Sequence, residues 1–180
     1  MVYINLKYST VYLLSAVSVV LATFAEIELQ LGFVSSNSTN WDNLLNAFPT
    51  TGGSLTEAID ILIAGQNFAD SLSTVAELTA ANGPLNVANA TEILNTVLMC
   101  METLQNSLFV IAAKEPALVG LPSGIMVQGF THDILELLNA SSIEFANSFI
   151  GVAPASLLPI DTAIRTDVSE AFATAIDAFN

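Results

Sequence analysis

The feature that most constrains this chain is a long apolar helix, read over residues 92–114 as EILNTVLMCMETLQNSLFVIAAK. Leu94, Val97, Leu98, Met101, Leu104, Leu108 and Ile111 recur at the spacing of one helical face. Ile93, Met99, Cys100, Phe109 and Val110 widen that face until only a narrow polar strip of Asn95, Glu102 and Asn106 is left. A helix this apolar around its girth needs neighbours on several sides, so the expectation is a central post in a bundle.

The flanking stretches supply the neighbours. Residues 26–48 carry a helical pattern interrupted by SSNSTN at 35–40, which predicts a kink or loop there. Trp41, Leu44, Leu45 and Phe48 form the apolar face of its second half, and PTTGG at 49–53 closes it. Ser54 and Glu57 have the spacing of a capping box and open a helix to about Ala80, with Gly65 inside it as a tolerated residue or a point of close approach. Glu115-Pro116 is expected to stop the apolar helix. The period resumes from Ile125 through Phe130, Ile134, Leu137, Leu138, Phe145 and Phe149, and a last helix enters at Pro159 and runs to the end. The fold class is all-α: an antiparallel helical bundle of about five helices, the first short or broken, with room for an apolar central cavity.

The first 25 residues read as an address. Lys7 precedes an uncharged apolar run from Val11 to Ala22, and Thr23-Phe24-Ala25 offers small residues for cleavage after Ala25, the layout of a secretory signal peptide. The run is short for the ~20 residues a membrane span needs. Residues 26–180 then form a single helical-bundle domain, with no transmembrane span expected after cleavage. In that domain Lys114 and Arg165 face 17 acidic residues, a net charge of −15. Such a chain repels phosphate backbones, which excludes nucleic acid as a partner and makes anionic membranes poor ones. Charged residues are only 11% against 53% hydrophobic, so Ser, Thr, Asn and Ala must cover the surface. That suits a secreted glycoprotein, and Asn37, Asn89 and Asn139 each head an Asn-x-Ser/Thr glycosylation acceptor. Asn89 has a second reading as a helix cap, with Glu92 three residues on.

Catalytic chemistry is scarce. One histidine, His132, and one cysteine, Cys100, allow no His/Cys metal cluster and no disulfide. Gly120-Leu-Pro-Ser-Gly124 is not a nucleophile elbow, and His132 beside Asp133 reads as a solvated pair. Neither catalytic residue, metal nor cofactor is expected, and a non-enzyme is the reading. A hydrolase using His132 is the distant rival. The apolar surplus either fills the core or lines a cavity between helices. Burying about fifteen methylenes at ~0.8 kcal/mol each would give roughly 12 kcal/mol, against at least ~4 kcal/mol for association. Micromolar binding of an acyl chain thus needs no ion pair. Lys114 has a structural reason to exist at a helix end. Arg165 could meet a carboxylate or pair with Asp161.

The segments NATEILNTVLMCMETLQNSLFVIAAKEPALVG, GFTHDILELLNASSIEFANSFIGVAP and SLLPIDTAIRTDVSEAFATAIDAF carry a likeness. Over residues 54–179 the chain resembles the fungal hydrophobic surface-binding protein A family, which includes the cell-wall galactomannoproteins. The resemblance implies a secreted five-helix bundle, extracellular or in the cell wall, that binds hydrophobic surfaces, and in the mannoprotein branch a central cavity for fatty acids. Its implied partners are a fatty acid or other apolar ligand, a hydrophobic surface, and secreted esterases. By position, the inward faces are Leu62, Ala69 and Leu72 on the second helix and Val97, Met101 and Leu104 on the third. Phe130, Ile134 and Leu137 match the fourth, and Ile164, Val168 and Phe172 the fifth. The interrupted first helix departs from the family pattern. The tail to Asn180 carries no Ser/Thr-rich stalk or anchor signal, so a freely released or loosely wall-associated protein is expected. The alternative function is a structural cell-wall glycoprotein without a ligand.

Overall fold

The computed structural model describes the backbone of residues 6–180 and the side chains of residues 24–180, apart from Asp161, Thr162 and Ile164. The expected leader over 1–25 therefore lies almost entirely outside the described side chains. The chain forms α1 (Leu6–Ala47), α2 (Leu55–Asn82), α3 (Val87–Val119), α4 (Gly124–Val152) and α5 (Leu158–Asp177), with no strand among the described residues.

Local chemistry sets most of the boundaries. Ser54 and Glu57 make the expected capping box: the Glu57 N–H donates to Ser54 Oγ at 3.2 Å, and the Ser54 N–H donates to Glu57 Oε2 at 2.8 Å. The Ser54 hydroxyl, which also donates to Glu57 Oε2 at 2.8 Å, and then the Ser54 N–H hold the Glu57 carboxyl below its ordinary range. The cap of α3 is Asn86, whose Oδ1 accepts from the Asn89 N–H at 2.9 Å, so Asn89 lies inside the helix and is not its cap.

Three expectations are corrected. First, α1 does not break at 35–40. The polar run contains no Gly or Pro, and Ser, Thr and Asn each cost a helix at most ~0.7 kcal/mol. Its side chains are also satisfied in place. Thr39 Oγ1 donates to the Ser35 carbonyl at 2.8 Å, Ser38 is buried, and Asn37 Nδ2 donates to the Asn67 carbonyl of α2 at 3.2 Å. Second, α3 continues through Pro116 to Val119. Proline forfeits one hydrogen bond there, but Ala117 and Leu118 are buried and the Gly120 N–H reaches the Pro116 carbonyl at 3.1 Å. Third, α3 is not a central post. It is long and apolar enough to cross a membrane by length and composition, yet it forms one wall of the bundle and exposes Met99 and Phe109 by 74% and 76%.

No helix occupies the centre. α1 packs on α2 and α3, α2 on α4, α4 on α5, and α5 on α3, with a lighter touch between α3 and α4, so the five helices close a ring. Point contacts fix their directions. Ser73 Oγ meets Ser141 Oγ at 3.1 Å, and Gly65 lies beside Ile134, so α2 and α4 run parallel. Asp42 of α1 accepts from Asn106 Nδ2 at 2.8 Å and from Ser107 Oγ at 2.9 Å, and Lys114 donates to the Phe48 carbonyl, so α1 and α3 are parallel too. Gln128 reaches the Phe179 carbonyl and Asn147 meets Arg165, which makes α4 and α5 antiparallel. Trp41, Phe68, Leu135 and Leu138 are all fully buried, with the Trp41 and Phe68 rings 6.2 Å apart.

Two predictions follow from these contacts. A Cβ on Gly124 would stand 1.7 Å from the Val119 carbonyl oxygen, in the tight turn that Ser123 enters at a left-handed φ of 71°. Gly124→Ala should therefore lower unfolding stability by about 2–4 kcal/mol in a urea titration. Between α1 and α3, partial desolvation and the neighbouring Glu92 carboxyl, which also hydrogen-bonds it, raise the Glu28 carboxyl above its ordinary range. A raised acid contributes stability below its unfolded pKa and loses it as pH rises through the folded value. Glu28→Gln should thus raise the melting temperature at pH 7, with the gain vanishing near pH 3, below the ordinary carboxylate range of ~4.

Candidate ligand-binding cavity

The ring closes around a hollow. Its cavity volume is about 50 Å³, so it is a narrow slot. All five helices wall it. α1 contributes Leu31 and Val34, and α2 contributes Phe68 and Leu72. α3 supplies Leu94, Val97, Cys100, Met101 and Leu104, a stretch of about 15 Å at 1.5 Å per residue. α4 supplies Ser142, Ile143, Phe145, Ala146 and Phe149, and α5 supplies Arg165 and Val168.

The α3 wall shows why the site is a cavity. From Asn95 to Thr103 no residue is fully buried, although five of the nine are large apolar residues or cysteine. Val97, Cys100 and Met101 line the slot and are half-buried. Leu98 and Met101 also border an outer groove with Glu102, Gln105 and Asp167, so Met101 stands between the interior and the surface.

Polar groups at the slot are few. Arg165 is exposed, and its Nη1 donates to Asn147 Oδ1 at 2.9 Å, which ties α5 to α4. Its expected partner Asp161 has a side chain outside the described residues. The Cys100 thiol is pushed up by burial, opposed by a hydrogen bond with Ser35 on α1. Ser142 Oγ is buried without a hydrogen-bond partner. Lys114 is not at the slot: it caps the carboxyl end of α1 through the Phe48 carbonyl.

The residues singled out by sequence divide into three groups. Leu72, Val97, Met101, Leu104 and Val168 come together on the slot. Ala69 and Phe172 are buried in the packed core, and Ile164 lies among the side chains that are not described. Leu62, Phe130, Ile134 and Leu137 lie off the slot: Ile134 faces α2 at Gly65, Leu62 is half-buried on α2, and Phe130 is 52% and Leu137 37% exposed. Sequence reasoning put the inward face of α4 in its first half, whereas the slot takes its second half. The Phe145–Phe149 repeat at i, i+4 is the signal that could have found it. Leu31 and Val34 were missed because the expected break in α1 took that helix out of the wall.

The remaining candidates are surface features. His132 Nδ1 lies 3.8 Å from Asp133 Oδ1 and 4.0 Å from Glu136 Oε2, all on one turn of α4 with both acids exposed. Ser123 belongs to the α3–α4 turn. Asn37, Asn89 and Asn139 all lie within helices and are half-buried, and Asn139 Oδ1 is buried without a partner.

Filling the slot should cost little, unlike filling the core. Ala146→Leu is expected to leave the melting temperature unchanged or raised. Ala69→Leu, which adds the same atoms where there is no space, should cost about 1–3 kcal/mol.

No family model matches the sequence, and neither does any curated protein. Solved structures do match. The palmitic acid complex of Afmp4p is similar with a TM-score of 0.78 at 20% identity, over 87% of this chain and 99% of that one. Ligand binding domain 1 of the Penicillium marneffei MP1 protein, complexed with arachidonic acids, gives a TM-score of 0.76 at 18% identity, over 89% of this chain and 99% of that one. Ligand binding domain 2 of the same protein, also with arachidonic acids, gives 0.74 at 14% identity, over 88% of this chain and 92% of that one. No sequence match ties the chain to the hydrophobic surface-binding family. What the three structures establish is the five-helix fold that this chain shares with proteins solved around fatty acids.

Proposed function

We propose that this protein is a secreted, non-enzymatic binder of long-chain fatty acids. The observation that carries the reading is the apolar slot walled by all five helices, with the inward side chains of α3 left half-buried around it. The fatty acids bound by the three similar structures support it. An acyl chain laid in the slot would cover Val97, Met101 and Leu104 from one side and Phe145, Phe149 and Val168 from the other. Met101 and its polarizable thioether would adapt to chains of different shape. The carboxylate goes to Arg165 at the rim, where its headgroup stays in water. Secretion rests on the leader over 1–25 and cleavage after Ala25, which leaves no expected transmembrane span. The protein is then extracellular or wall-associated, but the half-buried Asn37, Asn89 and Asn139 amides do not favour it as a heavily glycosylated one.

A second reading, adsorption to hydrophobic surfaces, has its own observation. Leu55, Ile59 and Ile63 on α2 and Met126, Phe130 and Leu137 on α4 are exposed along one parallel helix pair. Phe130 and Leu137 flank Ile134, which faces α2 at Gly65, so the α4 stripe borders α2. Such a patch is the kind of apolar surface that marks an interaction site. Secreted esterases would meet the protein here, on a shared solid. Surface binding and fatty-acid carriage would thus use different sides of the bundle.

Solvent extraction and mass spectrometry of the secreted protein should recover close to one fatty acid per chain. An empty extract, repeated after incubation with excess palmitic acid, would replace this reading with that of a structural wall glycoprotein. Met101→Asp should weaken palmitic acid by about a hundredfold, since it places an unpaired charge against the chain. Phe130→Asp should leave that affinity intact and reduce adsorption to a hydrophobic solid. Arg165→Gln should weaken the acid but not the alcohol of the same length.

A further inference from the structure

We infer that the slot prefers fatty acids carrying an oxygen within the chain, a hydroxyl or a keto group, and that Ser142 reads it. The inference rests on the proposed fatty-acid site. Among the described side chains, four buried polar atoms lack a hydrogen-bond partner: Trp41 Nε1, Thr79 Oγ1, Asn139 Oδ1 and Ser142 Oγ. Of these residues only Ser142 lines the slot, where it is 8% exposed. A hydroxyl left unpaired in an apolar wall is a standing cost that a ligand oxygen would remove. The other uncharged polar group of the wall, the Cys100 thiol, is a weak donor and only half-buried, so it makes a smaller demand.

Ser142 does not suit the carboxylate itself. An ionised carboxylate drawn into an apolar slot needs an opposite charge, and one hydroxyl cannot supply it. Arg165 of α5 can, and it is held at Asn147 on α4, the helix that carries Ser142. Ser142 precedes Asn147 by five residues, about 7.5 Å along the helix axis at 1.5 Å per residue. An acid anchored at Arg165 with its chain running along α4 would therefore pass Ser142 several carbons from its head. A serine hydroxyl both donates and accepts, so it can satisfy a hydroxyl or a ketone. A saturated chain satisfies neither.

The test is calorimetric titration of the full secreted chain, delipidated, with stearic acid and with a positional series of monohydroxystearic acids. One mid-chain isomer should bind about tenfold tighter than stearic acid, or about 1.4 kcal/mol. Ser142→Ala should erase that preference, keep the affinity for stearic acid within about twofold, and melt no lower than the parent, since it removes an unsatisfied group. Ser142→Cys, with similar shape and a weak donor, should behave likewise and serves if the alanine variant expresses poorly. Equal affinity for all isomers, or a preference that survives both substitutions, would overturn the inference while leaving the fatty-acid site standing. So would a Ser142→Ala loss shared equally by stearic acid, which would place the carboxylate on the serine. Failure of every acid to bind would overturn the site and the inference together.

Discussion

The close approach of α2 to α4 at Gly65 sets the geometry from which the rest of the bundle follows. With no side chain at that position, Ile134 and the indole edge of Trp41 converge on the α2 backbone; a Cβ there would lie 2.7 Å from Ile134 Cγ2 and 3.3 Å from Trp41 Nε1. Two parallel helices drawn this close bring Trp41, Phe68, Leu135 and Leu138 into one dense plug. The plug lies at one level of the ring. Phe68 belongs both to the plug and to the wall of the slot, which runs on past Leu72 on α2 and Phe145 and Phe149 on α4. Packing and emptiness are thus two levels of the same arrangement.

With so few cations, the ring cannot be closed by ion pairs. Its latches are single polar contacts placed at helix crossings. Asp42 accepts from two donors on α3, Asn37 reaches the backbone of α2, and Lys114 holds the end of α1. The Leu85 N–H donates to the Val152 carbonyl at 2.9 Å and ties the α2–α3 loop to the end of α4. Each latch joins elements distant in sequence, and together they set which helices are neighbours in a chain whose apolar faces would tolerate several pairings.

The helices were legible because periodicity and caps are local. Ser54 and Glu57, and Pro159, mark boundaries by chemistry that acts within a few residues. The failures are tertiary. The polar run in α1 reads as a loop until α2 is present to accept Asn37 and cover Ser38. Pro116 reads as a stop until burial of Ala117 and Leu118 outweighs one lost bond. The apolar girth of α3 reads as depth, yet part of it faces a hollow and part faces water, a distinction that hydropathy does not contain. The site was half legible for the same reason. Leu72, Val97, Met101, Leu104 and Val168 follow from periodicity alone. Choosing between the two halves of α4 requires knowing that the plug at Gly65 occupies the first.

The unbroken first helix bears on how the chain would be matured. In the uncut chain Glu26 and Glu28 lie mid-helix, and the first turn of α1 holds no acid. A cut after Ala25 would make the peptide bond ahead of Glu26 the new start of the helix, with a fresh ammonium group beside its exposed N–H groups. That charge would oppose the helix dipole, and the two glutamates would then stand within the first turn where carboxylates offset it. Because a peptidase needs an extended strand to cut, the scission would have to precede the winding of α1. The helix would then begin five residues before Leu31, the first of the residues that wall the slot.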